Sequence, residues 1–293
     1  MSQRVLLFGS SGFIGGHVRA ALETDPRIGE VICPGRRDYD LIDGDHDGLV
    51  RLLREHQPTA VVSCVGRLTG TDAELIRGNT VVAAKLLEAV VSTRPDARVV
   101  RLGSAGEYGV VPHGHAVTED DPTAPVAAYG ISHLAGTSLF QRADLVDAVS
   151  LRVFNPIGPG MSAENMLGRA AERIRAAQAA GAGEITMGPL AAYRDFVDVR
   201  DLAALVAAVL RPARLGHRVF NAGSGRAASG REAVRLLAEA AGFTGEIREQ
   251  GAGPERSAAV SWIQADVRRA YQELGWAPSR DLATSVKDIW AAG

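Results

Sequence analysis

Ser104, Tyr129 and His133 are the side chains whose types and spacing suggest chemistry. Ser104 ends the apolar run that begins at Arg98 and starts the segment Ser104-Ala105-Gly106-Glu107-Tyr108-Gly109, whereas Tyr129-Gly130-Ile131-Ser132-His133 opens a helix-like stretch. A serine at a strand end and a tyrosine on the neighbouring helix can converge on one carbonyl. Reducing a carbonyl takes a hydride on carbon and a proton on oxygen, and a phenol held by a hydroxyl is a proton source. Alone, a buried serine and tyrosine are ordinary packing and hydrogen-bonding residues. A hydride donor nearby changes that reading.

The N-terminus indicates where such a donor would lie. The short apolar strand Arg4 to Phe8 runs straight into Gly9-Ser10-Ser11-Gly12-Phe13-Ile14-Gly15, glycines spaced three apart, and then into a helix ending near Leu22. In that context Gly9 lets the chain reverse, Gly12 lets a pyrophosphate approach the backbone, and Gly15 lets the helix pack on its strand with its N-terminus toward the anion. Ser11, Phe13 and Ile14 join the three glycines as expected cofactor contacts; a tight turn with no ligand is the alternative. After the second strand comes Pro34-Gly35-Arg36-Arg37, with no acid where an NAD-preferring site sets one against the ribose. Two guanidiniums there suit a 2'-phosphate, so NADP(H) is expected over NAD(H). Because Lys85 and Lys287 are the only lysines, an arginine-rich composition offers solvated arginines as the other explanation.

Strand and helix signals alternate through the first half: Val5–Phe8, a helix to Leu22, Glu30–Cys33, helix Leu49–Glu55, Ala60–Cys64, helix Asp72–Val91, Arg98–Gly103, helix Tyr129–Leu145 and Val149–Val153. This alternation predicts an α/β fold of Rossmann type, a doubly wound parallel sheet with helices on both faces. Thr71-Asp72-Ala73-Glu74 reads as a capping box, and Ser229-Gly230-Arg231-Glu232 as another. After Asn155 the rhythm changes, and a smaller, interleaved C-terminal α/β substrate domain is expected over the carboxyl edge of the sheet. The expected division is 1–155, together with 199–222, for the dinucleotide, and 156–198 with 223–293 for the substrate.

The 293 residues, 46% hydrophobic and 23% charged, can bury a full core. A net charge of -2 gives no reason to expect nucleic acid or an anionic membrane as partner. No apolar run reaches spanning length, the start lacks the marks of a secretory signal, and Cys33 and Cys64 show no metal spacing, so a cytoplasmic protein without a metal is expected.

Taken together, the motifs resemble the extended short-chain dehydrogenase/reductase family, also called NAD-dependent epimerase/dehydratase proteins. They comprise the glycine triplet, Asn79, Ser104 four residues before Tyr108-Gly109, and Glu119-Asp120-Asp121-Pro122 ahead of Tyr129-Gly130. The likeness continues through Arg152-Val153-Phe154-Asn155-Pro156-Ile157-Gly158-Pro159-Gly160, Arg194-Asp195-Phe196, Asn221-Ala222-Gly223-Ser224-Gly225 and Leu274-Gly275-Trp276-Ala277-Pro278. Within the family the chain looks most like reductases of nucleotide-activated 4-keto-6-deoxy sugars, especially those of GDP-4-keto-6-deoxy-mannose. That resemblance implies that Ser104 polarises the ketone and Tyr129 protonates it, that Asn155 and Glu107 lie on the substrate side, and that Arg194, with Arg256 as a weaker second, meets the diphosphate. A structural ion pair or a solvated side chain is the other reading for both arginines. The same resemblance implies a homodimer through the helices Asp72–Val91 and Tyr129–Leu145; the alternative is that their extra apolar residues are buried within one subunit.

One departure stands out. The family has tyrosine, three residues, lysine; here the fourth residue after Tyr129 is His133. In the family the lysine holds the nicotinamide ribose and lowers the phenol pKa from its reference near ~10. Three readings follow: His133 serves as imidazole or imidazolium in the lysine's place, another cation or a water fills the role, or the protein only binds nucleotide. The first predicts that lysine at 133 preserves or raises activity and alanine lowers it. Competing functions are epimerisation of a sugar nucleotide on a retained cofactor, which paired arginines disfavour, and a silent NADP sensor. A 4,6-dehydratase would want acids where Ala105 and Gly106 stand.

Overall fold

Strand β1 (Gln3–Phe8) buries Val5, Leu6, Leu7 and Phe8 in succession, as a parallel strand covered on both faces must. It lies between β2 (Ile28–Ile32) and β3 (Ala60–Ser63); β4 (Arg98–Ser104), β5 (Ala148–Val153) and β9 (Val219–Ala222) complete a six-stranded parallel sheet in the order β2-β1-β3-β4-β5-β9. This computed structural model describes residues 2–251 and 259–293. Helices α1 (Phe13–Glu23) and α7 (Val199–Val209) cover one face through Val18, Leu22, Leu202, Leu205 and Val206. Helices α2 (His46–His56), α4 (Val82–Thr93) and α5 (Ala128–Gln141) cover the other through Leu49, Leu53, Leu86, Val90 and Phe140. The fold is the doubly wound Rossmann type. Its chain changes direction between β1 and β3, which opens a crevice at their carboxyl ends where the glycine turn lies.

The stretch expected as one helix from Asp72 to Val91 is broken. A four-residue helix α3 (Asp72–Leu75), opened by the Thr71–Glu74 capping box, passes into a π-helical segment (Ile76–Val81) before α4. Asn79 lies in this segment. Its amide accepts from the Arg67 backbone N–H at 2.7 Å, donates to the Arg67 carbonyl at 2.9 Å and donates to Ser132 Oγ at 3.0 Å. A side chain held on two sides widens the turn that carries it, and such bulges cluster at functional sites. Helix α5 also stops short of Leu145, because Arg218 donates to the carbonyls of Phe140, Ala143 and Val146 and so finishes the helix with a cation at its negative end.

The remaining strands build a smaller unit. Strand β8 (Tyr193–Asp198) pairs parallel with β6 (Asn155–Ile157) and antiparallel with β10 (Ala227–Ser229), and β7 (Glu184–Met187) pairs parallel with β11 (Glu246–Glu249). Helices α6 (Met166–Ala180), α8 (Gly230–Ala240) and α9 (Leu282–Ala291) pack on them around Leu167, Ile174, Val234, Leu237 and Ile289. Ser229 caps α8 by accepting from the Glu232 backbone N–H. Strands β6 and β10, three residues each, were not expected from sequence; neither is long enough to show a period. Among the described residues, no helix is long and apolar enough to cross a membrane, and no cluster of His, Cys, Asp and Glu could hold a metal ion.

Candidate active site

The glycine turn has the shape that a pyrophosphate needs. Gly9 adopts φ +80°, and a Cβ there would press on the Cys64 backbone carbonyl carbon at 3.1 Å. At Gly15 a Cβ would fall 1.9 Å from the Gly9 carbonyl oxygen, so only glycine lets α1 sit this close to β1. Gly12 caps α1 with no side-chain bond to the first turn, the arrangement of a helix start that can take an anion. Ser11 is exposed, and Phe13 and Ile14 are half-buried beside it. These residues fit a dinucleotide.

Arg36 and Arg37 are exposed on the turn after β2. The sequence reading found no acid at that place, yet Asp38 stands in the same turn. Its carboxylate is occupied locally: Oδ2 accepts from the Gly35 backbone N–H at 2.8 Å, and the next acid, Asp40, accepts from the N–H groups of Ile42 and Asp43 at 2.8 and 3.1 Å.

Ser104 closes β4 and caps the short 3-10 turn Ala105–Glu107, its Oγ accepting from the Gly106 N–H at 3.1 Å. Tyr129 lies half-buried in the first turn of α5. The two meet over Gly106, where a Cβ would stand 3.4 Å from Ser104 Oγ and 3.5 Å from two ring carbons of Tyr129. Gly130 makes this approach possible: a Cβ on it would sit 2.3 Å from the Gly106 carbonyl oxygen. The structure thus brings the expected serine and tyrosine to one place, and two glycines that sequence reasoning did not single out lie between them.

Glu107, expected on the substrate side, is not there. It is fully buried; Oε1 accepts from the Ser104 backbone N–H at 3.0 Å and from Thr137 Oγ1 at 2.9 Å, and Oε2 pairs with Arg152 Nε at 2.9 Å. The 3-10 turn that carries it, three residues after Ser104, directs it behind the serine, not in front. It anchors a polar network that sequence reasoning missed. Arg152 also donates to the Glu119 carbonyl and lies 4.6 Å from the Tyr108 ring centre, Tyr108 donates to Asn221 Oδ1, and Glu119 accepts from the Asn221 backbone N–H. Several of the resembling motifs thus brace β4, β5 and β9 against each other.

His133 faces Tyr129, with ring centres 4.6 Å apart in an edge-on arrangement. It is buried, and burial, reinforced by the Arg101 guanidinium, drives its pKa down to about 3. Of imidazole and imidazolium, the burial and the neighbouring cation favour the neutral ring. Arg101, from the middle of β4, places Nη2 3.3 Å from His133 Nδ1. A charged residue inside a covered parallel strand was the signal available in the sequence.

Of the residues expected to meet substrate, Asn155 lies two residues beyond Val153, which pairs with Ser104 across β4 and β5, and itself pairs with Phe196 across β6 and β8. Asn155 Nδ2 donates to the Asp195 carbonyl at 3.2 Å. Arg194 lies farther along β8, half-buried, with Nη1 donating to the Tyr193 carbonyl at 2.8 Å and burial pulling its pKa down. Its neighbour Asp195 is wholly buried and accepts from the backbone N–H groups of Ser224, Gly225 and Ala265, which fixes the loop after β9. Arg256 lies outside the described residues.

Comparison with known proteins gives the family and the fold. The chain is 37% identical to the dTDP-6-deoxy-L-talose 4-dehydrogenase (NAD(P)(+)) of Kitasatospora kifunensis, over 99% of this chain and 95% of the relative. It is 32% identical to the UDP-glucose 4-epimerase of Azospirillum brasilense, over 96% and 88%. Among solved structures, that of RMD from Pseudomonas aeruginosa complexed with NADPH superposes with a TM-score of 0.87 at 26% identity, covering 99% of this chain and 98% of the other. Residues 5–223 match the NAD dependent epimerase/dehydratase family. With the glycine cradle at β1, the serine and tyrosine meeting over Gly106, and this match across most of its length, the chain belongs to that family.

Proposed function

We propose that the protein reduces the 4-keto group of a nucleotide-activated 4-keto-6-deoxy sugar with NADPH. The observation that carries this is the convergence of Ser104 Oγ and the Tyr129 ring over Gly106 at the carboxyl end of β4. Ser104 donates a hydrogen bond to the ketone oxygen and Tyr129 delivers the proton to it. The nicotinamide, when bound, supplies the hydride. Asn155 and Arg194 serve the substrate side, the latter toward the diphosphate. The relative from Kitasatospora, whose name places its chemistry at C4 of a 6-deoxy sugar nucleotide, supports this substrate class and makes a dTDP sugar the first to try, ahead of the GDP sugar.

Purified protein incubated with NADPH and dTDP- or GDP-4-keto-6-deoxyhexoses is expected to consume cofactor and form 4-hydroxy product in equal amounts. Interconversion of sugar nucleotides without net cofactor consumption would make it an epimerase instead. Cofactor binding without turnover on either class would make it a binding protein.

NADPH is the expected cofactor because Arg36 and Arg37 are exposed on the turn while both nearby carboxylates are held in local bonds. Charge-assisted hydrogen bonds are worth about 1.5–3 kcal/mol. The double substitution Arg36→Ala and Arg37→Ala is therefore expected to raise KM for NADPH about 10- to 100-fold and to leave KM for NADH nearly unchanged, as steady-state kinetics with each cofactor will show.

The protein is also proposed to be a homodimer. Most apolar residues of α4 are spent inside the subunit, but Val81, Ile131 and Leu139 remain exposed where the π segment and α5 lie side by side. Light scattering at working concentration is expected to return twice the 30.8 kDa chain mass, and a monomer would refute this assembly.

A further inference from the structure

Arg101 sits where a parallel strand ordinarily carries an aliphatic residue; burial pulls its pKa down, against which Glu107 and Tyr129 act, and hydrogen-bond acceptors line its guanidinium. The guanidinium is buried behind α5, with Nη1 donating to Thr137 Oγ1 at 2.9 Å, Ser150 Oγ at 3.0 Å and the His133 carbonyl at 3.3 Å. Gly136 provides the room: a Cβ at that position would lie 2.8 Å from Nη2 and 2.9 Å from Cζ of Arg101. Among the described residues no ion pair includes Arg101; Glu107 acts on it at one remove, through Thr137. Its charge is thus not neutralised by direct contact, and the ionisable groups facing it are His133, Tyr129 and Glu107.

An arginine can only donate. The contact from Nη2 to His133 Nδ1 at 3.3 Å therefore makes Nδ1 an acceptor and puts the single ring proton of the neutral imidazole on Nε2, at the far side of the ring from Arg101. The cation and the donor that a lysine would combine in one side chain are here divided between two.

We propose that Arg101 is a positioning residue, which holds His133 as the Nε2–H tautomer for donation to a hydroxyl of the bound cofactor and supplies from behind the positive charge beside Tyr129. This rests on the cofactor and proton-transfer roles assigned above. It also revises the expectation that lysine at 133 is harmless, because an ammonium there would join a guanidinium already in place.

Two experiments test it. Nitrogen-15 NMR of histidine-labelled wild-type protein without ligand, assigned with a His133→Gln variant, is expected to show His133 as the neutral Nε2–H tautomer at neutral pH and still neutral at about pH 5.5, below its reference value. An Nδ1–H tautomer or an imidazolium would overturn the proposal. That measurement needs neither substrate nor cofactor, so a protein that shows the tautomer but turns over no sugar nucleotide faults the substrate reading alone. The second uses the oxidation direction, where Tyr129 must lose its proton. Arg101→Met is expected to move the acid limb of the rate profile up by about one pH unit and to raise KM for the cofactor, and the double variant Arg101→Met with His133→Lys to restore both. A folded Arg101→Met enzyme with an unmoved limb, or a shift that lysine at 133 does not reverse, would sink it. If Arg101→Met does not fold, the wild-type tautomer decides.

Discussion

Tyr129→Phe is expected to lower turnover about 10²–10⁴-fold, the range for loss of a positioned general acid, while the affinity for NADPH stays close to that of the parent enzyme. The substitution deletes one oxygen and keeps the ring. Packing against His133, at 4.6 Å between ring centres, is preserved, and so is the contact of the ring carbons with the Gly106 turn. The glycine cradle at Gly9, Gly12 and Gly15 lies on another strand and helix and does not sense the change. Steady-state kinetics together with a fluorescence titration of NADPH separate the two effects. A phenylalanine variant within a few-fold of the parent in turnover would remove Tyr129 from proton delivery. A variant that fails to bind cofactor would show instead that the phenol serves the nucleotide.

How much of this was legible before the structure depends on the reach of each interaction. The glycine turn could be read because Gly9, Gly12 and Gly15 answer to one another within a few residues and sit between a strand and a helix whose periods are plain. Ser104 and Tyr129 could be paired because a parallel sheet brings a strand end and the next helix start to the same edge. Charge states could not be read. His133 was visible as a departure from tyrosine-three-lysine, yet its neutrality follows from burial and from Arg101, a residue far from it in sequence and on another element. Glu107 was misplaced for a related reason: three residues after a reactive serine it looks like part of the site, while a strand followed by a tight 3-10 turn swings its carboxylate back into the core. The π segment was invisible because the bonds that accompany it, from Asn79 across to Arg67, are tertiary, and an apolar period fits an α-helix and a bulged one about equally well.

The placement of Glu107 predicts a large stability effect. Breaking a buried ion pair by removing one partner costs about 3–5 kcal/mol, because the other charge is left without compensation. Glu107→Ala strands Arg152, of which only 3% is exposed, and also frees the Ser104 backbone N–H and the Thr137 hydroxyl. Urea unfolding is expected to show a loss in that range, and turnover is expected to fall with it because Ser104 loses its anchor. The double replacement Glu107→Leu with Arg152→Met removes both charges and is expected to recover much of the stability, since apolar groups of similar volume tolerate such a site. It returns nothing to Ser104, so activity is expected to remain low. That split between recovered stability and unrecovered turnover distinguishes a brace behind the serine from a ligand contact in front of it. A Glu107→Ala enzyme that keeps its stability and changes only KM for the sugar nucleotide would put the carboxylate back on the substrate side.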